Sequence, residues 1–232
     1  MKKTLIIIPA YNEEKNIGAV LDSIREFQPD VDVVVVNDGS TDKTADIAQS
    51  RGAMVLNHTF NLGYGGALQT GFRFALSKHY EYVVTMDGDG QHDSASIKNL
   101  LEAQTVTGAN VVIGTRFLTG DYKMGPARSV GVALFRYITR LYTGIKFTDP
   151  TSGFQLLDKS VFSYLSKGDN YPMDYPDANT IMLLHRKKFK VVEAQVNMYQ
   201  RREGTSMHSG LKPVAYVMKM MLAIIMVVLR RD

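Results

Sequence analysis

LIIIPAYNEEKNIGAVLDSIREFQPDVDVVVV, residues 5–36, reads as strand, helix, strand. Its two apolar runs, 5–8 and 31–36, are rich in β-branched side chains. Continuous runs of that kind suit strands covered on both faces, as in a parallel sheet. Between them Ile17, Val20, Leu21, Ile24 and Phe27 recur at helical spacing over 16–27. The rhythm continues downstream. Ser40 or Thr41 is placed to cap a helix running to about residue 51, and a strand follows at 54–56. A helix at 65–76, a strand at 82–86, a helix at 94–104 and a strand at 111–114 come next. Such alternation predicts an α/β fold: an open, mostly parallel central sheet with helices on both faces. After Gly114 the pattern changes to a helix at 128–142 and strands at 154–157 and 191–196, with a soft boundary near residue 115 inside one compact unit.

Bulk properties narrow the classes. The 232 residues include no cysteine, which excludes disulfides, zinc-thiolate sites and thiol nucleophiles and fits a reducing compartment. The run at 5–8 is too short for a secretory signal and reads as a buried first strand. The net charge of +4 is uneven: residues 183–232 hold ten Lys and Arg against three Asp and Glu, leaving −3 for residues 1–182. A basic tail suits an anionic partner. It lacks an array of aromatic side chains for stacking on bases, and it sits beside an apolar stretch, so a membrane surface fits better than nucleic acid. From 214 to 229 only Tyr216 and Lys219 interrupt apolar residues, Pro213 is placed to open a helix, and Arg230 and Arg231 close it. The uninterrupted part, 220–229, falls short of the roughly 20 residues a spanning helix needs. A helix that is apolar all round must be covered, by lipid, by a small membrane-protein partner or by a second copy; a buried core helix is the simpler alternative.

Three polar clusters follow three predicted strands. Asp87-Gly88-Asp89-Gly90-Gln91 comes directly after 82–86. In an open α/β sheet, residues at the carboxyl ends of strands face the ligand crevice. Two carboxylates one residue apart can share a hard divalent cation whose other ligands are phosphates, and Gln91 and His92 lie within reach of the same ion. A solvated acidic turn capping the next helix is the simpler alternative. Asn37-Asp38-Gly39-Ser40 ends the second strand; Asp38 can accept hydrogen bonds from a base or ribose, or serve a turn. Pro9-Ala10-Tyr11-Asn12-Glu13 ends the first. Asn61-Leu62-Gly63-Tyr64-Gly65-Gly66 is a glycine-rich turn before a helix, either a phosphate cradle or a tight helix start. It matches neither the dinucleotide fingerprint, since Leu68 stands in the last glycine's place, nor a P-loop.

The segments PAYNEE (9–14), VNDGSTDKT (36–44), NLGYGGAL (61–68), DGDGQH (87–92), GTRF (114–117) and DPTSGFQLL (149–157) resemble glycosyltransferase family 2. They are most similar to its polyprenyl-phosphate sugar transferase group, which contains dolichol-phosphate mannose synthase. The likeness runs over about residues 4–206 in the family's order. It implies a GT-A nucleotide-sugar-binding fold over 1–210, with a nucleotide-binding half at about 1–115 and an acceptor half at about 116–210. Residues 211–232 then form a C-terminal helix that associates with membrane or a partner. By position, Pro9, Tyr11, Glu13, Asp38, Gly65, Asp87, Gly88 and Arg202 would hold the nucleotide sugar. Asp87, Asp89 and Gln91 would bind Mg²⁺ or Mn²⁺. Arg116, Arg128 and Arg201 would hold phosphate charge, Arg201 within an Arg-x-x-Gly-x-Ser segment with Gly204 and Ser206. Asn37 stands where the family often has Asp.

The implied reaction is inverting, metal-dependent transfer of a sugar from a nucleotide sugar to a polyprenyl phosphate by an enzyme peripheral on the cytoplasmic face of the cell membrane. A lipid phosphate is already ionised near neutral pH, which lessens the need for a general base and favours cationic clamps. Asp149 is the candidate for orienting the acceptor or acting as base, with a turn or helix cap as the alternative. Two other readings stand beside this one: transfer to a sugar hydroxyl in polysaccharide or cell-wall glycan synthesis, and a non-catalytic nucleotide-sugar-binding scaffold.

Overall fold

A computed structural model describes residues 3–119, 126–168, 170–172, 176–199 and 212–229, with the side chains of 126–128 and 212–216 outside that description. The strands are β1 (Thr4–Ala10), β2 (Asp32–Asn37), β3 (Met54–Asn57), β4 (Tyr82–Thr85), β5 (Val111–Thr115), β6 (Gln155–Asp158) and β7 (Val191–Gln195). They form one sheet in the order β3-β2-β1-β4-β6-β5-β7. Neighbours pair in parallel except around β6, which runs antiparallel to both β4 and β5. This is the mostly parallel α/β sheet that the alternation predicts.

Among the described residues the helices are α1 (Ile17–Phe27), α2 (Thr44–Ser50), α3 (Tyr64–Ser77), α4 (Ile97–Thr107), α5 (Pro126–Thr143), α6 (Lys159–Leu165), α7 (Ala178–Arg186) and α8 (Lys212–Leu229), with a 3-10 turn at Ser94–Ser96 before α4. Successive side chains of a strand point to opposite faces, so each apolar run feeds two cores. Leu5, Ile7, Val34, Val36 and Val83 meet α3, α6 and α7 on one face. Ile6, Ile8, Val35, Val84 and Met86 meet α1, α2 and α4 on the other. Each fully buried Leu or Ile contributes about 1.5–3 kcal/mol of transfer free energy. Helix α3 lies so close on β1 that a Cβ at Gly71 would sit 2.4 Å from Ile7 Cγ2. A third cluster, with Phe135, Ala178, Met182, Met220 and Ile224, joins α5, α7 and α8 outside the first core.

Three local expectations change. Neither Ser40 nor Thr41 caps α2, which starts at Thr44. The Asp42 carboxylate accepts from Thr44 N at 3.0 Å instead, while Ser40 Oγ accepts from Asn12 N and Thr41 N donates to Asn12 Oδ1. Helices α6 and α7 were not expected. The α6 start is capped by Asp158, whose Oδ1 accepts from Val161 N at 3.0 Å. In α7 every residue from Ala178 to Leu184 is buried, and its apolar stretch, 181–184, is too short for periodicity to tell helix from strand.

The topology gathers the polar clusters. Strands β1, β2, β4 and β5 all end at one edge of the sheet. Because β6 is reversed, its amino-terminal approach, residues 149–154, arrives at that same edge. Order also reverses between β1 and β4, the topological switch point where open α/β sheets bind ligands.

Candidate active site

The loop after β1 is tied to the loop after β2. Asp38 N donates to Ala10 O at 2.9 Å, Glu13 N to Thr44 Oγ1 at 2.8 Å, and Glu14 N to Asp42 Oδ2 at 3.1 Å. Asn12, at φ 55, offers its Oδ1 to Thr41 N at 2.9 Å. Asn and Asp tolerate that left-handed backbone better than most residues. Pro9 is buried beside Val36, whereas Tyr11 is 49% exposed at the rim.

Asp38 is buried, and the protein itself supplies the donors that meet its carboxylate. Oδ1 accepts from Leu62 N at 2.8 Å, Oδ2 from Gly63 N at 2.9 Å, and His58 Nδ1 lies 2.7 Å from Oδ1. A carboxylate takes the Nδ1 proton, and the other ring nitrogen meets Thr70 Oγ1 at 2.9 Å. Charge-assisted bonds of this kind are the strong ones. Asp38 therefore sets the shape of the glycine-rich turn, and Gly63, at φ 87, hands the chain into α3.

Asp87 lies just past β4, and two rings bracket it. Tyr64 Oη donates to Oδ1 at 2.9 Å. His92 Nδ1 accepts from Asp87 N at 3.1 Å, so its ring proton resides on Nε2, which faces Oδ2 at 3.6 Å. His92 is buried and stacks on Phe154, with ring centroids 4.8 Å apart. Burial, then the Asp87 charge, pushes the Tyr64 hydroxyl well above the usual phenol range, so it remains a donor. Asp89 Oδ1 accepts from Gln91 N at 3.0 Å. Gly88 and Gly65 are buried, and a Cβ at Gly88 would meet Ile8 Cγ2 at 3.5 Å, where β1 passes. Among the described residues no group of three or more His, Asp or Glu side chains forms a ready metal cage. The chemistry of the set nonetheless fits a hard cation: two carboxylates beside Gln91, one of them braced, with remaining positions for phosphate and water oxygens.

Arg116 and Asp149, expected to hold phosphate and to orient an acceptor, meet each other. Arg116 Nε donates to Asp149 Oδ2 at 2.7 Å and Nη2 to Oδ1 at 3.4 Å, both residues being buried. Glu193 accepts from Thr148 N and Asp149 N at 2.8 Å each, and Arg136 Nε donates to Thr148 O at 2.6 Å. The charges in this network largely offset one another, the usual condition for burying them. The side chain of Arg128 and all of Arg201 and Arg202 lie outside the described residues. The chain on the way to Arg201 is placed, however. Tyr199 N donates to Gln91 O at 2.8 Å, and Met198 bridges His92. His58, Thr70 and Glu193 carry no sequence signal, and Tyr64 stands in the sequence only as part of the glycine-rich turn. Each acts across a distance in the chain that no local pattern encodes.

A profile of glycosyl transferase family 2 matches residues 5–165. The chain is 32% identical over 221 residues to an undecaprenyl-phosphate mannosyltransferase of Micrococcus luteus, covering 90% of this chain and 88% of that protein. It is 27% identical over 234 residues to a UDP-N-acetylglucosamine–dolichyl-phosphate N-acetylglucosaminyltransferase of Methanococcus voltae, covering 91% and 93%. In fold it is similar to glucosyl-3-phosphoglycerate synthase of Mycobacterium tuberculosis, solved with Mn²⁺, UDP-glucose and phosphoglyceric acid. There the TM-score is 0.74 at 19% identity, over 100% of this chain and 81% of that one. A family profile over most of the chain, and relatives alike along nearly their whole length, make this chain a glycosyltransferase that belongs to glycosyl transferase family 2.

Proposed function

We propose that the chain moves a sugar from a nucleotide-sugar donor to a polyprenyl phosphate at a membrane surface, with inversion at the anomeric carbon. The observation that carries this reading is the pair Asp87 and Asp89 at the switch point, in a chain alike over its length to enzymes named for lipid-phosphate acceptors. In this reading residues 1–115 take the donor and 116–210 the acceptor. Tyr11 and Glu13 at the rim take the nucleoside, backed by the buried backbone at Pro9, Gly65 and Gly88, with Asp38 holding the turn before Gly65. Asp87 and Asp89, beside Gln91, would hold the Mg²⁺ or Mn²⁺, and a cation there offsets charge growing on the departing diphosphate. Arg128, Arg201 and Arg202 clamp phosphate groups of donor and acceptor, as guanidinium forks do. The backbone bridge from Met198 and Tyr199 to the Gln91-His92 turn supports a late segment close to the diphosphate.

Asp149 is 0% exposed and both its oxygens are taken by Arg116. With both oxygens bound and no exposed surface, this carboxylate is not free to reach an acceptor hydroxyl, which suits an acceptor that arrives already ionised. Arg116 and Asp149 then serve as the wall that orients the lipid phosphate.

No helix among the described residues is long and apolar enough to cross a membrane. Helix α8 buries Met220 and Ile224 and turns Met218, Leu222, Ile225, Met226 and Leu229 outward, while α5 exposes Val130, Leu134, Tyr137 and Leu141. These faces support a peripheral seat on a membrane, which our reading puts at the cytoplasmic face, with a small membrane protein or a second copy as the competing cover. The functional test is a panel of UDP- and GDP-sugars with undecaprenyl phosphate and Mg²⁺. Label should enter a chloroform-soluble, acid-labile product. Label in a water-soluble glycan instead would point to the sugar-hydroxyl reading, and no transfer at all to the scaffold.

A further inference from the structure

We propose that Tyr64 is a positioning residue that aims the Asp87 carboxylate at the cation, and that Gly153 is a glycine because the Tyr64 hydroxyl occupies the space its side chain would need. The inference rests on the reading of Asp87 as a metal carboxylate. A carboxylate on a turn can rotate about two side-chain bonds, and cation binding requires one orientation. Donors to an oxygen of such a ligand select it. Tyr64 Oη does so at 2.9 Å from Oδ1.

Tyr64 is itself held firmly. It is the first residue of α3 and follows the two backbone N–H groups, of Leu62 and Gly63, that the Asp38 carboxylate binds. The far side of the hydroxyl is closed by Gly153. A Cβ there would stand 2.7 Å from Tyr64 Oη, but 3.7 Å from Tyr64 Cζ and 3.6 Å from Asp87 Oδ1. Gly153 is not among the glycines with positive φ, so space rather than backbone conformation demands it. Nor can it retreat easily, since Thr85 Oγ1 donates to its carbonyl at 2.7 Å, two residues before Asp87. The next residue, Phe154, stacks on His92, the second bracket of Asp87. One short segment ahead of β6 thus props both sides of the carboxylate.

These distances make the two positions interdependent. Tyr64→Phe removes only the hydroxyl. Gly153→Ala pushes that hydroxyl out of place. With the hydroxyl gone, the added methyl meets only ordinary contacts. Binding of Mn²⁺ to the full chain, alone and with UDP or GDP, is to be followed by the electron paramagnetic resonance signal of the free ion, with melting curves alongside. Tyr64→Phe should weaken Mn²⁺ binding by about tenfold or more, the usual effect of losing an outer-shell partner, with little change in melting. Gly153→Ala should weaken it similarly. The double variant should bind no worse than Tyr64→Phe alone and melt no lower than Gly153→Ala. Asp87→Asn is the control for the underlying reading: wild-type Mn²⁺ affinity in that variant removes the metal site and the inference with it. If Asp87→Asn abolishes binding while Tyr64→Phe binds as the wild type does, or if the two substitutions add without interaction, the positioning role is wrong and the metal reading survives.

Discussion

The two aspartates past β4 are held differently, and that difference sets what each substitution should do. Asp87 is braced by Tyr64 and faced by His92, while Asp89 folds its carboxylate back onto Gln91 N within its own turn. Asp89→Ala removes a proposed ligand from a half-buried turn and not from the core. It should abolish turnover and leave the melting temperature within a few degrees of the wild type. EDTA should do the same to the unaltered protein, and full activity in EDTA would contradict the metal reading. Arg201→Ala tests the phosphate clamp. Loss of one charged donor to the transition state should cost about 2–4 kcal/mol in kcat/KM, by analogy with a lost oxyanion donor. Denaturant midpoints should barely move. An unchanged rate would leave Arg201 as an ordinary surface charge.

Among the elements, β6 and α8 matter most for function. β6 is short, and its reversed direction brings Asp149, Gly153 and Phe154 to the edge where β1, β2 and β4 end. Had it run parallel, those residues would lie at the opposite edge, away from Asp87. α8 is a helix with two apolar faces, one on Phe135, Ala178 and Met182 and one turned outward. We expect the outward face to seat the enzyme on lipid. Flotation with anionic liposomes should carry the full chain and not a chain truncated after Ser209, and added salt should weaken the association by screening the basic tail. Because α8 also packs on α7, the truncated form needs a melting curve as its control. Equal flotation, or equal neglect of the vesicles, would argue for a protein partner as the cover.

For the whole molecule, the buried phenols give stability a dependence on alkaline pH. Tyr80 donates to Asp32 Oδ2 at 2.7 Å. Its pKa is raised above the usual 10.0 by burial and then by Asp32. Tyr171 is raised by burial and then by Asp177 and Asp87. In the unfolded chain both would ionise near pH 10 while the native state keeps the protons. Stability from these groups is therefore complete below about pH 10 and declines as pH rises beyond it. Denaturant midpoints should be steady up to about pH 9 and fall by about pH 11, and the double substitution Tyr80→Phe and Tyr171→Phe should flatten that slope. An equally steep slope in the double variant would assign the alkaline sensitivity to other groups.

The amino-acid order is enough to read the layered α/β fold, because strands buried on both faces need continuous β-branched runs and amphipathic helices need apolar residues at 3.6 spacing, both local properties. It also determined where the chemistry lies along the chain, since strand ends facing a ligand carry polar, glycine-rich turns. What those residues touch is set by contacts between segments far apart in the chain. Asp38 reads in VNDGS as a ligand contact or a turn residue, and its carboxylate holds the 62–63 turn. Arg116 and Asp149, 33 residues apart, read as separate tools and form one buried pair. Tyr64, His92 and Gly153 stand within the quoted segments, but what each one braces is set by contacts across the sheet edge. Helix α7 is hard to read for a different reason: it is nine residues long and its apolar stretch, 181–184, is too short for periodicity to tell helix from strand.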